Sequence, residues 1–453
     1  MDYVLADNEI YYSPISGEGL SSNGQAISIF GKNKRFVWTN TAEFKYTFAD
    51  KHNATLLGGI EEQKSNSLSY GLDRTAVSDP QFTNIQGGWA TPNTAGLGIG
   101  ENYLYSEFGR LQYNYNNKYY ISGNLRRDGA SQLGANRKFG TFWGVSAGWE
   151  ITKEGFWNSA GLDKLFSNFR LRGSYGKVGN IGGLGDYISL STFSSGLYGG
   201  IGTSRFLQAG NADLTWETSK KTDIGVSFGI LNDRITGDIG YYKSDIDGLL
   251  LFVPQPPSAG LPSTIPQNVG KMFNKGVEIS LTGSPVQAKL FSWTSSINIA
   301  FNKNEVTSLA FGLDNIIGST GGLENPSITL PGSPISMLFV TRTNGVDPAT
   351  GKRIFINKAG KEVYFQHVAP TGQFRFSYAD GTVAPTVSAA DAVAYKNTNP
   401  KYYGGFDNTF RYANFDLNTL FTFQGGNWIY YGTNAGLRDQ RFWNNSKDVL
   451  RRW

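Results

Sequence analysis

The stretch Ile224-Gly225-Val226-Ser227-Phe228-Gly229-Ile230 carries an apolar side chain at every second position and a small or polar residue between each pair. The next stretch repeats the pattern, with Ile235, Ile239 and Tyr241 set against Thr236, Asp238, Gly240 and Tyr242. Side chains of a strand alternate between faces, so each stretch reads as a strand with one oily side and one wet side. At least eight such stretches run along the chain. Strands of soluble sandwiches usually span about five or six residues, whereas several here reach ten or more, with aromatics near their ends. Apolar residues toward lipid, polar residues toward a lumen and aromatic girdles between them are the pattern of a transmembrane β-barrel.

Composition agrees. Charged residues make up 17% of the 453, below the roughly 25% usual for soluble domains, and aromatics reach 14% with 57 glycines. The chain has no cysteine, which excludes disulfides, thiol catalysis and thiolate metal sites. A net charge of +5 is spread over scattered Lys and Arg and gives no basic patch for nucleic acid. No apolar run approaches the roughly 20 residues of a membrane helix. Met1-Asp2-Tyr3-Val4 has no basic or apolar leader, so an exported barrel read from this sequence is expected to have its biological start elsewhere.

About twelve strands are predicted, over Arg35–Phe48, Ala54–Asn66, Tyr103–Tyr115, Tyr119–Arg127, Phe142–Ile151, Phe169–Lys177, Trp216–Ile230, Arg234–Leu250, Gly276–Ser284, Phe291–Asn302, Lys401–Tyr412 and Phe415–Tyr430. Short links at Ala49–Asn53, Asn116–Lys118, Leu231–Asp233 and Ala413–Asn414 carry the turn residues that tight hairpins need. They alternate with long segments such as Ser67–Asn102, Val178–Thr215 and Lys303–Pro400, as short periplasmic turns and long outer loops require. Parity puts Thr152–Asn168 on the short-turn side, and helix is expected only as short turns near Leu162–Phe166 and in the long loops. The fold class is therefore all-β: an antiparallel transmembrane β-barrel, partial, with about 12 strands of a larger one.

Trp143 and Trp149 share the lipid-facing parity. Six residues apart on one face, they fit the two ends of an apolar band; the favoured expectation is that one joins a girdle and the other packs under a loop. Arg110, Arg126, Arg170 and Arg172 fall on the lumen parity, where pairing with carboxylates or a plug avoids the roughly 2–4 kcal/mol cost of a charge in lipid. His52 reads as a solvated turn residue, and neither it nor His367 belongs to a catalytic triad pattern. Asp245 and Asp247 hint at a calcium loop but lack its other ligand positions, so they read as a polar strand end. Gly179–Gly185 is not placed as a phosphate cradle. No catalytic, cofactor-binding or metal-binding residue is assigned, and an enzyme is not expected.

Several segments resemble the SusC/RagA family of TonB-dependent outer-membrane transporters of Bacteroidetes. Asn124-Leu125-Arg126-Arg127-Asp128-Gly129-Ala130-Ser131, then Phe139-Gly140, Val145-Ser146-Ala147-Gly148-Trp149 and Ile151, are similar to its barrel signature. Leu171-Arg172-Gly173-Ser174-Tyr175-Gly176 with Gly179-Asn180, Asn211-Ala212-Asp213-Leu214-Thr215-Trp216-Glu217 and Asn274-Lys275-Gly276-Val277-Glu278 follow in family order. So do Gly345-Val346-Asp347-Pro348 with Gly351, Tyr402-Tyr403-Gly404-Gly405-Phe406 and Asn414-Phe415-Asp416-Leu417. Gln132-Leu133-Gly134 and Trp143-Gly144 depart from the family's usual residues.

The resemblance implies that residues 1–453 are a partial TonB-dependent receptor β-barrel domain without the plug domain. The chain would stop before the final strands, with Leu450-Arg451-Arg452-Trp453 similar to the start of an Arg-Trp segment in a late outer loop. It implies location in the cell outer membrane, among its lipids, and import of oligosaccharides or peptides. The implied partners are a SusD-like surface lipoprotein at the outer loops and TonB through a missing N-terminal region. The competing reading is a secreted all-β glycan-binding or adhesion module, which would carry polar residues where Val226, Phe228, Ile235, Ile239, Ile297 and Ile299 stand. Substrate identity is not legible. Trp89 is the one weak ligand-binding candidate, able to stack on a sugar ring or to pack within its loop.

Overall fold

The computed structural model describes residues 1–256, 258, 260, 264–310, 313–320, 324–438 and 444–451; the expected Arg-Trp segment at Arg452 and Trp453 lies outside them. Thirteen long strands make up the main sheet: β1 Asp2–Tyr12, β2 Gln25–Phe48, β3 His52–Val77, β4 Trp89–Tyr115, β5 Tyr119–Ala130, β6 Phe139–Glu150, β7 Phe166–Asn180, β8 Glu217–Ile230, β9 Ile235–Asp247, β10 Lys271–Gln287, β11 Phe291–Ser308, β12 Tyr402–Tyr412 and β13 Phe415–Gly425. The chain divides into two compact units. The first holds β1–β6 with the loop-side parts of β7 and β8; the second holds the turn-side parts of those two strands, most of β9, and β10–β13. Inside each, a strand lies beside its neighbours in the chain. The pairings β1–β2 through β5–β6, and β10–β11 through β12–β13, are antiparallel.

All twelve expected strands form, and β1 is a thirteenth. Its sequence, with Val4-Leu5-Ala6 followed by Asp7-Asn8-Glu9, lacks the alternation that betrays the others. The segment Ser67–Asn102 is not a long loop: β3 runs on to Val77 and β4 begins at Trp89, leaving 78–88 as the connection. Residues 67–77 and 89–102 pair across this extension, Ser67 with Gly100 and Thr75 with Thr91 among them. A strand needs about 9–11 residues to cross a bilayer, and β3 has 26. Beyond the lipid both faces are wet, so the backbone ladder continues where the apolar alternation has stopped. Two strand ends were drawn too long: β9 stops at Asp247 and β13 at Gly425.

Connections alternate as expected. In the first unit the links at 49–51 and 116–118 lie at one end and those at 78–88 and 131–138 at the other; in the second, those at 231–234, 288–290 and 413–414 lie at one end and that at 309–401 at the other. Tight turns use left-handed backbone, with Asn116 and Asn117 both at positive φ, a conformation that Asn tolerates better than most residues. The link 151–165 holds an α-turn at Gly155–Ser159 and short 3-10 turns at Ile151–Lys153 and Leu162–Lys164. The long loops carry strands of their own, a hairpin of Thr192–Tyr198 with Ile201–Gln208 in the first unit and small sheets between 316 and 394 in the second.

Outward positions are exposed and apolar. In the first unit Phe44, Leu56, Leu111, Ile121, Leu125, Val145 and Leu171 stand out, and in the second Ile224, Ile239, Ile297, Phe406 and Phe421. At the turn end of the first unit an aromatic tier crosses strand to strand. Phe48 meets His52 at 5.8 Å, His52 meets Tyr115 at 4.8 Å, Tyr115 stacks on Tyr119 at 6.3 Å, and Tyr119 on Trp149 at 6.4 Å. His52 is thus the first residue of β3 and a member of this girdle rather than a solvated turn residue. Trp143 does not pack under a loop either. It is 39% exposed on the outward face, edge-on to Tyr175 at 5.6 Å. Six residues at about 3.3 Å each set it roughly 20 Å along β6 from Trp149, so the two indoles mark the two ends of one apolar band.

Candidate functional site

The inward face of the first unit is built from the opposite parity of the same strands. Arg126 of β5 stands at its centre. Its Nε donates to Asp128 Oδ1 at 2.6 Å, and its Nη2 donates to Ser106 Oγ at 2.8 Å and to Glu61 Oε1 at 3.3 Å. The guanidinium also lies over the Phe108 ring, 5.2 Å from its centroid. Lumen carboxylates therefore hold this arginine as expected. Beside it Ser122 and Ser146 share a hydrogen bond of 2.7 Å across β5 and β6. A cavity of about 420 Å³ opens here, with Asn124, Arg126, Ser146, Ser174, Lys177 and Lys221 in its lining. Its polar side chains offer hydrogen bonds and charge, but no nucleophile set beside a base.

At the loop end of the first unit the signature residues tie the strands to their loops. Leu133, Leu214, Ala130, Phe142, Ile188 and Trp216 form a buried cluster, with Leu214 fully enclosed. Gly134 N–H donates to the Leu214 carbonyl at 2.9 Å. A side chain at Gly134 would collide with the Ala212 carbonyl, so the approach requires glycine. Trp216 Nε1 donates to the Lys138 carbonyl at 2.9 Å. The Asn268 carboxamide clamps Thr215 on both sides, accepting from its N–H and donating to its carbonyl, each at 2.7 Å. The Asn211–Glu217 motif is therefore a structural knot. Gly345-Val346-Asp347-Pro348 is one too: the Asp347 carboxylate accepts from the Ala349 N–H and the Thr350 hydroxyl. These bonds, the Thr350 hydroxyl first, hold the Asp347 carboxyl below its ordinary range.

The second unit's inward face carries polar rungs. Ser227 donates to Asp238 at 2.7 Å, Tyr242 to Asn302 at 2.9 Å and Asn304 to Asn274 at 2.7 Å, and Thr282 and Ser296 share a bond of 2.9 Å. Of the residues read as inward by parity, Ser146 is less exposed than Val145 and Ala147, Arg172 than Leu171, Asp238 than Ile239 and Asp407 than Phe406, whereas Ser227 is half-buried like its neighbours and Asn298 is more exposed than Ile299.

The remaining candidates are placed as follows. Trp89 begins β4, donates from Nε1 to the Asn84 carbonyl at 2.8 Å and meets Tyr11 edge-on at 6.3 Å; these are contacts of loop packing. His52 Nδ1 lies 2.6 Å from the Tyr113 hydroxyl, and His367 Nδ1 lies 3.4 Å from Arg375 Nη2. Each histidine is engaged locally, in a different unit. Asp245 pairs with Lys243 at 2.8 Å. Arg110 stands opposite Asn124, and Arg170 and Arg172 are partnered as well. Among the described residues no three His, Asp or Glu gather to hold a metal ion. Sequence reasoning missed Glu154. It receives the Tyr119 hydroxyl, Trp149 Nε1 at 3.0 Å and Lys118 Nζ at 3.0 Å, because nothing in a link's sequence announces such a clamp.

The profile of the family described as "TonB dependent receptor-like, beta-barrel" matches residues 4–446. TonB-dependent receptor P39 of Formosa agariphila is 29% identical over 423 residues, covering 86% of this chain and 39% of the relative. TonB-dependent receptor SusC of Bacteroides thetaiotaomicron is 30% identical over 338 residues, 73% of this chain and 32% of its own length. Among solved structures, the RagAB peptide transporter superposes with a TM-score of 0.76 at 25% identity, covering 95% of this chain and 46% of that one. The chain thus spans less than half the length of the curated relatives it matches.

Proposed function

Since the chain belongs to the TonB dependent receptor-like β-barrel family, we propose that the whole protein imports oligosaccharides or peptides across the outer membrane. Location in that membrane follows from the family, and the exposed apolar outward face agrees with it. The observation that carries the transport reading is the joint likeness to SusC in sequence and to the RagAB peptide transporter in structure. The polar inward wall around Arg126 supports it, because a solute path needs hydrogen-bonding walls. TonB would act through a region other than these strands. Trp89 keeps a proposed role at most as an aromatic edge beside the path.

A SusD-like lipoprotein is the proposed partner, docking on the loops at 78–88, 181–216 and 309–401. Full-length protein should co-purify with such a partner carrying a tag, and recovery should fall as these loops are shortened. Recovery unchanged after deletion of all three loops would remove the docking proposal.

A further inference from the structure

On the outward face of the second unit, β9, β10 and β11 repeat one vertical order from turn end to loop end. Outward residues run Ile239, Tyr241, Lys243, Asp245 on β9 and Ile299, Phe301, Lys303, Glu305 on β11; β10 descends as Phe273, Lys275, Val277, Ile279. Lys275 and Lys303 stand directly opposite each other, as do Val277 and Phe301 beneath them. The ammonium groups of Lys243, Lys275 and Lys303 converge on one ring, lying 5.9, 5.4 and 5.7 Å from the Phe273 centroid.

Like charges placed directly across a ladder repel, and a ring has only two faces to offer a cation. Lys243 leans on Asp245 and Lys303 on Glu305, each at 2.8 Å; among the described residues Lys275 makes no ion pair. Both carboxylates stand one step nearer the loop end, so the ammoniums lie between them and the apolar band. That level is the membrane interface. Tyr241, Phe301 and Tyr402 form the aromatic tier just below, with Phe301 and Tyr402 in contact at 6.4 Å. A charge near the interface costs far less than one at mid-depth, which lets the lysines sit there.

We propose that Lys243, Lys275 and Lys303 bind the phosphate of a phosphorylated lipid headgroup in the leaflet on the loop side, while its acyl chains lie along Val277, Ile279, Ile239 and Ile299. Lys243 and Lys303 each already have a carboxylate, so the phosphate brings the negative charge that the third ammonium, Lys275, lacks, and the chains cover the apolar band that is continuous with them. This site concerns the wall's outer surface, so it stands whether or not the transport reading holds.

The test uses the full-length protein, stripped of lipid in detergent and titrated with a phosphorylated lipid, with retention read by native mass spectrometry. A juxtamembrane lysine contributes roughly fivefold in affinity for an anionic surface. Lys275→Gln with Lys303→Gln should therefore weaken retention by roughly tenfold or more, while the paired Arg substitutions preserve it and Lys45→Gln leaves it unchanged. Equal retention by the Gln pair and the native protein would overturn the site. So would equal binding of the dephosphorylated lipid, or inorganic phosphate competing as well as the intact lipid, since either removes the headgroup from the explanation. If the Gln pair does not fold, the comparison of phosphorylated with dephosphorylated lipid on the native and Arg-substituted proteins decides the question.

Discussion

A register is a residue-scale property, and one neighbouring pair tests it. Val226 faces outward in an apolar column, while Ser227 faces inward and donates to Asp238 at 2.7 Å. Arginine on the lipid face at mid-depth costs about 2–4 kcal/mol, and far less where water reaches it. Val226→Arg in the full-length protein should therefore lower folding stability in lipid vesicles by about that amount, with Ser227→Arg milder. The reverse ranking would mean that β8 is displaced by one residue and every face assignment on it inverted. At this scale the sequence was informative wherever alternation was clean, and silent where a contact joined distant strands. His52 looked like a turn residue because its partners Tyr113 and Tyr115 are some sixty positions away. Parity did not decide whether Trp143 and Trp149 both edge the apolar band, because Tyr175, the partner of Trp143, lies on the next strand.

Among elements, the link between β6 and β7 is fastened by Glu154. The Tyr119 hydroxyl, ahead of the Trp149 N–H and the Lys118 ammonium, holds its carboxyl below the usual carboxylate range. A carboxyl with a depressed folded-state pKa contributes stability that is complete above its unfolded value and lost as pH falls through the folded one. Acidification from neutrality to well below 4.5, the ordinary value, should thus lower the protection of residues 151–165 against hydrogen exchange, measured relative to the intrinsic amide rate at each pH. Glu154→Gln should exchange faster at neutral pH and show little further change on acidification. An identical pH response in both proteins would exclude the clamp. Strand identity was legible for the long strands other than β1, but strand ends were not. Periodicity reports a boundary between oil and water, and β2, β3 and β4 cross that boundary while still paired. The loop knots escaped for another reason: the Asn268 carboxamide meets the backbone N–H and carbonyl of Thr215, groups that leave no trace in side-chain pattern.

For the molecule as a whole, the family motifs carried the identification, while the structure shows that several of them serve architecture. Arg126-Arg127-Asp128-Gly129 supplies an internal ion pair and a ring seat, with Arg127 stacked 4.4 Å over Phe139. Conversely, no residue pattern disclosed which side chains would meet a solute, since those depend on how separate strands turn the same parity inward. The long paired extension of β2, β3 and β4 has a consequence for how the cell's surroundings meet this protein. A protease must draw an unpaired segment into its cleft, and hydrogen-bonded ridges deny it one. Protease added to intact cells should therefore cut within 78–88 and spare 67–77 and 89–102, and cleavage spread evenly over 67–102 would contradict the pairing. An antibody raised against a short linear peptide from the spared stretches would likewise find its target fixed edge-on in a palisade, so that recognition from outside would favour conformational epitopes over linear ones.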